Sequence, residues 1–255
     1  MAKSTKSDKS SRQAVVDEMR KKQKAADRRR SSIIIVVCVA VALAIVAYPV
    51  YTILKDKHET AKFESKALED IGAPASSCQD IITKKADGNQ NHVPVGTPVD
   101  FATAPPAFGA HWNEAGVAPA PFARKFYTAD DRPELEALVH NLEHGYTMLW
   151  YDETIANDDE AMNQVQAIAD KFDNSGDNVR DKFIAAPWTS SDEDGAAFPD
   201  GQHIALTHWS AGGAGVTDPA KQVGVFQYCS APSGAALATF MDKYPFSDSP
   251  EPAAM

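Results

Sequence analysis

The sequence predicts an α+β fold in which a single N-terminal transmembrane helix leads into one extracytoplasmic mixed α/β domain. Three observations predict it. Residues 33–54 (IIIVVCVAVALAIVAYPVYTIL) contain no charge in 22 positions. The charge changes sign across that run: residues 1–30 carry 11 Lys/Arg against 4 Asp/Glu, whereas the whole chain, with 25 basic and 35 acidic residues, stands at −10. Beyond residue 73, amphipathic helix patterns are mixed with short apolar strand patterns, with no internal repeat.

Composition narrows the function classes. With 44% hydrophobic and 24% charged residues the chain is ordinary globular material, neither collagen-like nor wholly disordered. Three cysteines are too few for a small disulfide scaffold. The net negative charge argues against nucleic acid as a partner.

Residues 1–32 are expected as a basic cytoplasmic tail and residues 33–54 as the span. At about 1.5 Å per residue, a helix of that length crosses a hydrocarbon layer of about 30 Å. Tyr48 and Tyr51 sit where interfacial aromatics are found, and Pro49 lies near the far end. The run exceeds a secretory h-region and no small-x-small cleavage site follows, so a retained anchor is expected. The positive-inside rule then places the N-terminus in the cytoplasm and the later domain outside the plasma membrane, with the lipid bilayer as a partner.

Residues 55–72 open with KDKHETAKFESKALED, charged and compatible with a helical stalk that Gly72-Ala73-Pro74 would end. The domain is expected over 73–246. Pro and Gly crowd residues 94–121, which reads as an irregular loop. A helix is expected from Leu135 to His144, with Asp131 as cap and Gly145 as stop. Strand 146–151, helix 158–172, strands 180–186 and 203–209, and helix 233–244 follow. Ala211–Gly215 reads as a flexible turn, and residues 247–255 as a C-terminal tail.

Cys78 and Cys229 bracket the domain. In an oxidising compartment they are expected to pair, whereas Cys38 lies inside the span. Closing a loop of that length stabilises by up to about 5 kcal/mol in the chain-entropy view.

Six of the seven histidines lie in the domain, and two of them share VHNLEHG. At about 100° per residue, Leu135, Leu138, Val139 and Leu142 form one apolar stripe. His140 and His144 fall about 140–180° away from its reference at Leu135, so they do not belong to that leucine face. One turn apart, they could grip a metal or line a second buried surface. HNLEH also fits the H-x-x-E-H zinc pattern, in which Glu143 would be a general base. No acidic segment downstream stands out as a third ligand for that chemistry.

The ordered set HVPVGTPV, PPAFGAHW and VHNLEHGYTMLWY, followed by an apolar strand and a C-terminal helix, resembles the domain of unknown function 3105 family, actinobacterial-type single-pass membrane proteins. The resemblance covers about residues 78–245 and departs at Phe108, where a small polar residue is usual. It implies an anchor, an exported domain and no established activity. His92, His111, His140 and His144 match its motif positions, and Tyr146, Trp150 and Tyr151 lie in the same block. Three functions are open at this point: a non-catalytic domain holding copper or zinc through His92, His111, His140 and His144; a metal-free accessory or assembly subunit of a membrane complex such as a respiratory one; and a zinc hydrolase using Glu143. The expectation leans away from an enzyme. For the metal reading, the Pro-rich segment must fold over the His140–His144 face to bring the loop histidines to it.

Overall fold

The computed structural model describes residues 4–86, 89–173, 178–192 and 196–254. They form two units, one ending at Lys57 and the other starting at His58. The first holds helix α1 (Ser4–Ala61) as far as Lys57, with Pro49 inside it. Its portion from Val15 to Thr52 is long and apolar enough to cross a membrane, a property that signal sequences share. Ile34, Val37, Val41, Leu43 and Ile45 are all exposed, so this stretch of the helix is apolar around its circumference, a surface unsuited to water.

The second unit is built from β1 (Ile82–Lys85), β2 (His92–Val93), β3 (His111–Trp112), α2 (Leu135–Glu143), β4 (Thr147–Tyr151), α3 (Glu153–Ala156), α4 (Asp159–Asp170), β5 (Phe183–Pro187), β6 (Ile204–Ser210), β7 (Val223–Cys229) and α5 (Gly234–Lys243). Five strands form one mixed sheet in the order β1-β7-β6-β4-β5. β4 and β5 are parallel, joined by a crossover through α3 and α4, and the other neighbours are antiparallel. A separate parallel pair, β2 with β3, sets His92 opposite His111.

The strand period of two explains how one sheet separates two cores. In β4, Met148 and Trp150 face the cluster containing Leu138, Val139 and Leu142 of α2. Leu149 and Tyr151 face the other cluster, with Val165 and Ile168 of α4 and Leu237 and Phe240 of α5. A strand buried on both faces reads as the continuous apolar run TMLWY.

Three expectations change. Helix α1 stops at Ala61, short of a helical stalk to residue 72, because Phe63 and Ile71 are drawn into the α4–α5 core, where Lys171 Nζ donates to Phe63 O (3.0 Å) and Glu64 O (2.9 Å). Asp131 does not cap α2. It accepts from Thr128 N (2.7 Å) and pairs with Arg124, while the N-cap position belongs to Glu134, with no side-chain cap bond among the described residues. Residues 247–254 are not a free tail. Asp248 and Ser249 are buried; Asp248 accepts from Ser210 Oγ and Gly213 N, both at 2.7 Å. Lys182 Nζ donates to His144 O (2.7 Å), Pro252 O (3.0 Å) and Ala254 O (2.6 Å). A hydropathy reading cannot anticipate docking by an ammonium and a carboxylate onto backbone groups.

Strands β1 and β7 carried no clear pattern in sequence, since β1 is exposed throughout and Gly224 and Gln227 interrupt β7. Cys78 and Cys229 form the disulfide that ties the start of the domain to the end of β7. Gln79 N donates to Tyr228 O and Ser230 N to Ser77 O beside it. Cys38 is the free cysteine.

Candidate metal centre

Helix α2 is buried on all sides. Its leucine stripe meets the sheet, and the Pro-rich segment lies over its polar face. That segment is pinned by side chains of α2 itself. Asn141 exchanges two bonds with the Ala120 backbone, donating from Nδ2 to its carbonyl (3.0 Å) and accepting its N–H at Oδ1 (2.8 Å). Glu136 accepts from Val99 N (3.0 Å), and within the segment Trp112 Nε1 donates to Thr97 O (2.8 Å). Phe108, where the family resemblance departs, packs against Trp209 and occupies the space a Cβ on Gly224 would need, 2.6 Å from its ring.

The helix ends in a two-bond reversal: Gly145 N donates to Leu142 O and Tyr146 N to Asn141 O. Gly145 has φ +92°, the left-handed region that favours glycine. This stop leaves His140, Glu143 and His144 on the last turn, beneath the loop.

One donor atom from each of His92, His111, His140 and Glu143 lies within 4.8 Å of the others. The imidazole centroids are 4.9 Å apart for His92–His111, 4.8 Å for His111–His140 and 5.3 Å for His92–His140. His111 Nδ1 faces Gly109 O at 2.9 Å and His140 Nδ1 faces Trp112 O at 2.7 Å. A carbonyl there can only accept, so each ring carries a proton on Nδ1 and turns Nε2 inward. His92 Nδ1 lies 3.0 Å from the Asn113 amide. Gln90 Nε2 donates to Glu143 Oε1 (2.7 Å), orienting that carboxylate.

The remaining oxygen is informative. Glu143 Oε2 is 2.9 Å from His111 Nε2 and 3.7 Å from His92 Nε2. His111 and Glu143 are fully buried, yet neither His111 Nε2 nor Glu143 Oε2 has an aligned hydrogen-bond partner among the described residues. Buried polar atoms are rarely left so. Two such atoms at this distance, flanked by two more imidazoles, fit a divalent ion: at bond lengths of about 2.0–2.1 Å, tetrahedral ligand atoms stand about 3.3 Å apart. The backbone carbonyls behind His111 and His140 fix their tautomers, as the outer partners of metal-bound histidines do.

The electrostatics agree. Burial pushes His140 down to about 4, aided by the neighbouring His111 and His144, and burial also lowers His144 to about 4. Burial alone would raise Glu143, but the His111 ring and the Gln90 amide more than offset it and hold the carboxyl below its usual range. His140 is therefore held as a neutral ring and Glu143 as a carboxylate, the protonation states that bind metal.

His92, His111 and His140 thus come together, and Glu143 joins them from the same helix. His144 is adjacent, its ring centroid 4.4 Å from that of His140, but falls in a second group with Glu143 and Glu251. Sequence reasoning had no sign of Gln90 or Glu251; both come from segments that look like ordinary loop. His203 and His208 stand elsewhere, the first 2.8 Å from Asp152 Oδ2, the second buried between Tyr146 O (3.1 Å) and Asp248 O (2.8 Å). Tyr146, Trp150 and Tyr151 are core residues.

Neither a curated protein nor a solved structure matches this chain. A family described as "Protein of unknown function (DUF3105)" does match, over residues 92–255. The match begins at the first histidine of the cluster and runs through the docked C-terminal segment, so it encloses every residue of the centre except Gln90. Since that is more than half of its length, the chain belongs to the domain of unknown function 3105 family.

Proposed function

We propose that this chain is a single-pass plasma-membrane protein, with a cytoplasmic N-terminus, whose extracytoplasmic domain binds one copper or zinc ion through His92, His111, His140 and Glu143 without catalysing a reaction. The observation that carries this reading is the pair of buried, unaligned atoms, His111 Nε2 and Glu143 Oε2, beside two further imidazoles. Imidazoles suit zinc and copper, and the carboxylate adds charge that offsets the ion. Four protein donors would fill a tetrahedral shell, which favours holding the ion over presenting it to a substrate. His92, whose side chain is 42% exposed, is the ligand on the solvent side and offers the entry path. The disulfide and the apolar helix support export and anchoring.

A hydrolase built on H-x-x-E-H finds less support. In that pattern both histidines hold the ion and the glutamate stays free as base. Here Glu143 stands among the donors, and His144 belongs to another group.

Elemental analysis of the full chain, purified in mild detergent without added metal or chelator, tests the reading. About one equivalent of copper or zinc is expected, falling below a tenth in His111→Ala. A wild-type chain that neither retains these metals nor takes them up in titration overturns it.

A further inference from the structure

We propose that Glu143, His144 and Glu251 form a second divalent-cation site that shares the Glu143 carboxylate with the first, making a two-metal centre closed by the C-terminal segment; this rests on the proposed first site. Donor atoms of the three residues lie within 4.8 Å of one another. His144 Nε2 is 3.7 Å from Glu251 Oε2, too far for a hydrogen bond. The His144 side chain is only 7% exposed, and its Nδ1 has no hydrogen-bond partner among the described residues; neither does Glu143 Oε2, on a side chain 1% exposed. Glu143 Oε2 is thus left unsatisfied beside His144, whose Nε2 faces the Glu251 carboxylate, and one cation bound by all three residues would give that buried oxygen a partner.

Glu251 does not reach this place as a loose surface residue. Its backbone N–H donates to Glu143 O (3.0 Å), on the very residue the two sites would share. On either side the segment is held by Asp248 against Ser210 and Gly213 and by Lys182 against Pro252 and Ala254. These are buried, directional contacts that set the position of residue 251 within the fold. Lys182 also donates to His144 O, so one ammonium fixes both the end of α2 and the segment that faces it.

Two carboxylates and one imidazole are a harder donor set than three imidazoles and one carboxylate, and suit zinc or manganese. Three protein ligands leave a coordination position open, and the half-exposed Glu251 places it toward solvent, where water would complete the shell. A carboxylate can bridge two such ions, which in two-metal sites stand about 3.5–4 Å apart.

The test is a zinc titration of the chelator-stripped, detergent-purified full chain. Wild type is expected to bind two equivalents. Glu251→Gln, a change of equal size on a half-exposed side chain, is expected to bind one, with the second weakened at least tenfold. Copper loading gives an independent readout: the wild-type chain should show a magnetically coupled pair by electron paramagnetic resonance, and Glu251→Gln an isolated copper signal. One equivalent in wild type, unchanged in Glu251→Gln, overturns the second site and leaves the first standing. Two equivalents retained in Glu251→Gln also overturn it. No zinc bound by wild type overturns the second site, and if copper is not bound either, the first falls with it.

Discussion

His111 Nε2 and Glu143 Oε2 lie 2.9 Å apart, shielded from solvent, without hydrogen-bond alignment between them. His111 comes from a two-residue strand and Glu143 from the end of a helix, and Gly109 O and the Gln90 amide orient them from behind. This convergence makes the cluster a candidate centre rather than a group of neighbouring polar residues.

Glu143→Gln is expected to reduce zinc or copper affinity by at least tenfold while the domain stays folded. Glutamine keeps the volume and an oxygen to accept from Gln90, but loses the charge that offsets the ion. Isothermal titration and far-ultraviolet circular dichroism of the same sample check both halves. Unchanged affinity would remove Glu143 from the ligand set.

The metal-free domain is expected to weaken as pH falls. His140 and His144 titrate near 4 in the fold and about 6.5 in the unfolded chain, so between those values the unfolded chain binds more protons. Their contribution is complete above about pH 6.5 and is lost as pH drops toward 4. Urea midpoints of chelator-treated protein at pH 7 and pH 5 should differ by about 2–4 kcal/mol in derived stability for the pair. His140→Gln should shrink the difference; a difference that persists undiminished in that variant would assign it to other groups.

Cys78→Ser should cost about 2–5 kcal/mol, since it opens a loop with a sequence separation of 151. The denaturation midpoint should fall to that of reduced wild type. Equal midpoints for oxidised wild type and the variant would contradict this.

Gly145→Ala should loosen the C-terminal segment. Beyond the strain at φ +92°, a Cβ there would stand 2.4 Å from Phe246 O and 2.8 Å from Ser249 Oγ. Gly201→Ala is the control, with φ +71° and no atom of the described residues within 4 Å of its Cβ. Hydrogen exchange over residues 246–254 should accelerate in the first variant and not in the second. Equal protection in both would show that the segment does not depend on this close approach.

Protease added to intact spheroplasts should remove the domain while residues 1–30 survive. The opposite pattern would invert the proposed topology.

The sequence by itself determined the elements whose signals are local. An uncharged, apolar run of 22 residues reads as an apolar helix from its length and composition, and the leucine spacing of α2 separates its apolar face from His140 and His144 before any partner is known. The two domain cysteines had one intradomain pairing open to them. Tertiary structure alone decided what covers the histidine face, because the irregular Pro-rich segment is placed by Asn141, Glu136 and Trp112 rather than by a period of its own. It also decided that Glu143 joins His92, His111 and His140 while His144 turns toward Glu251. A helix rotates each residue by about 100°, so neighbours on one turn face different directions, and only the packed partners determine which donors meet. Glu251 lies in a stretch with no hydropathy pattern. Its position follows from Lys182, Asp248 and the backbone of Glu143, polar contacts made only once distant parts of the chain have come together.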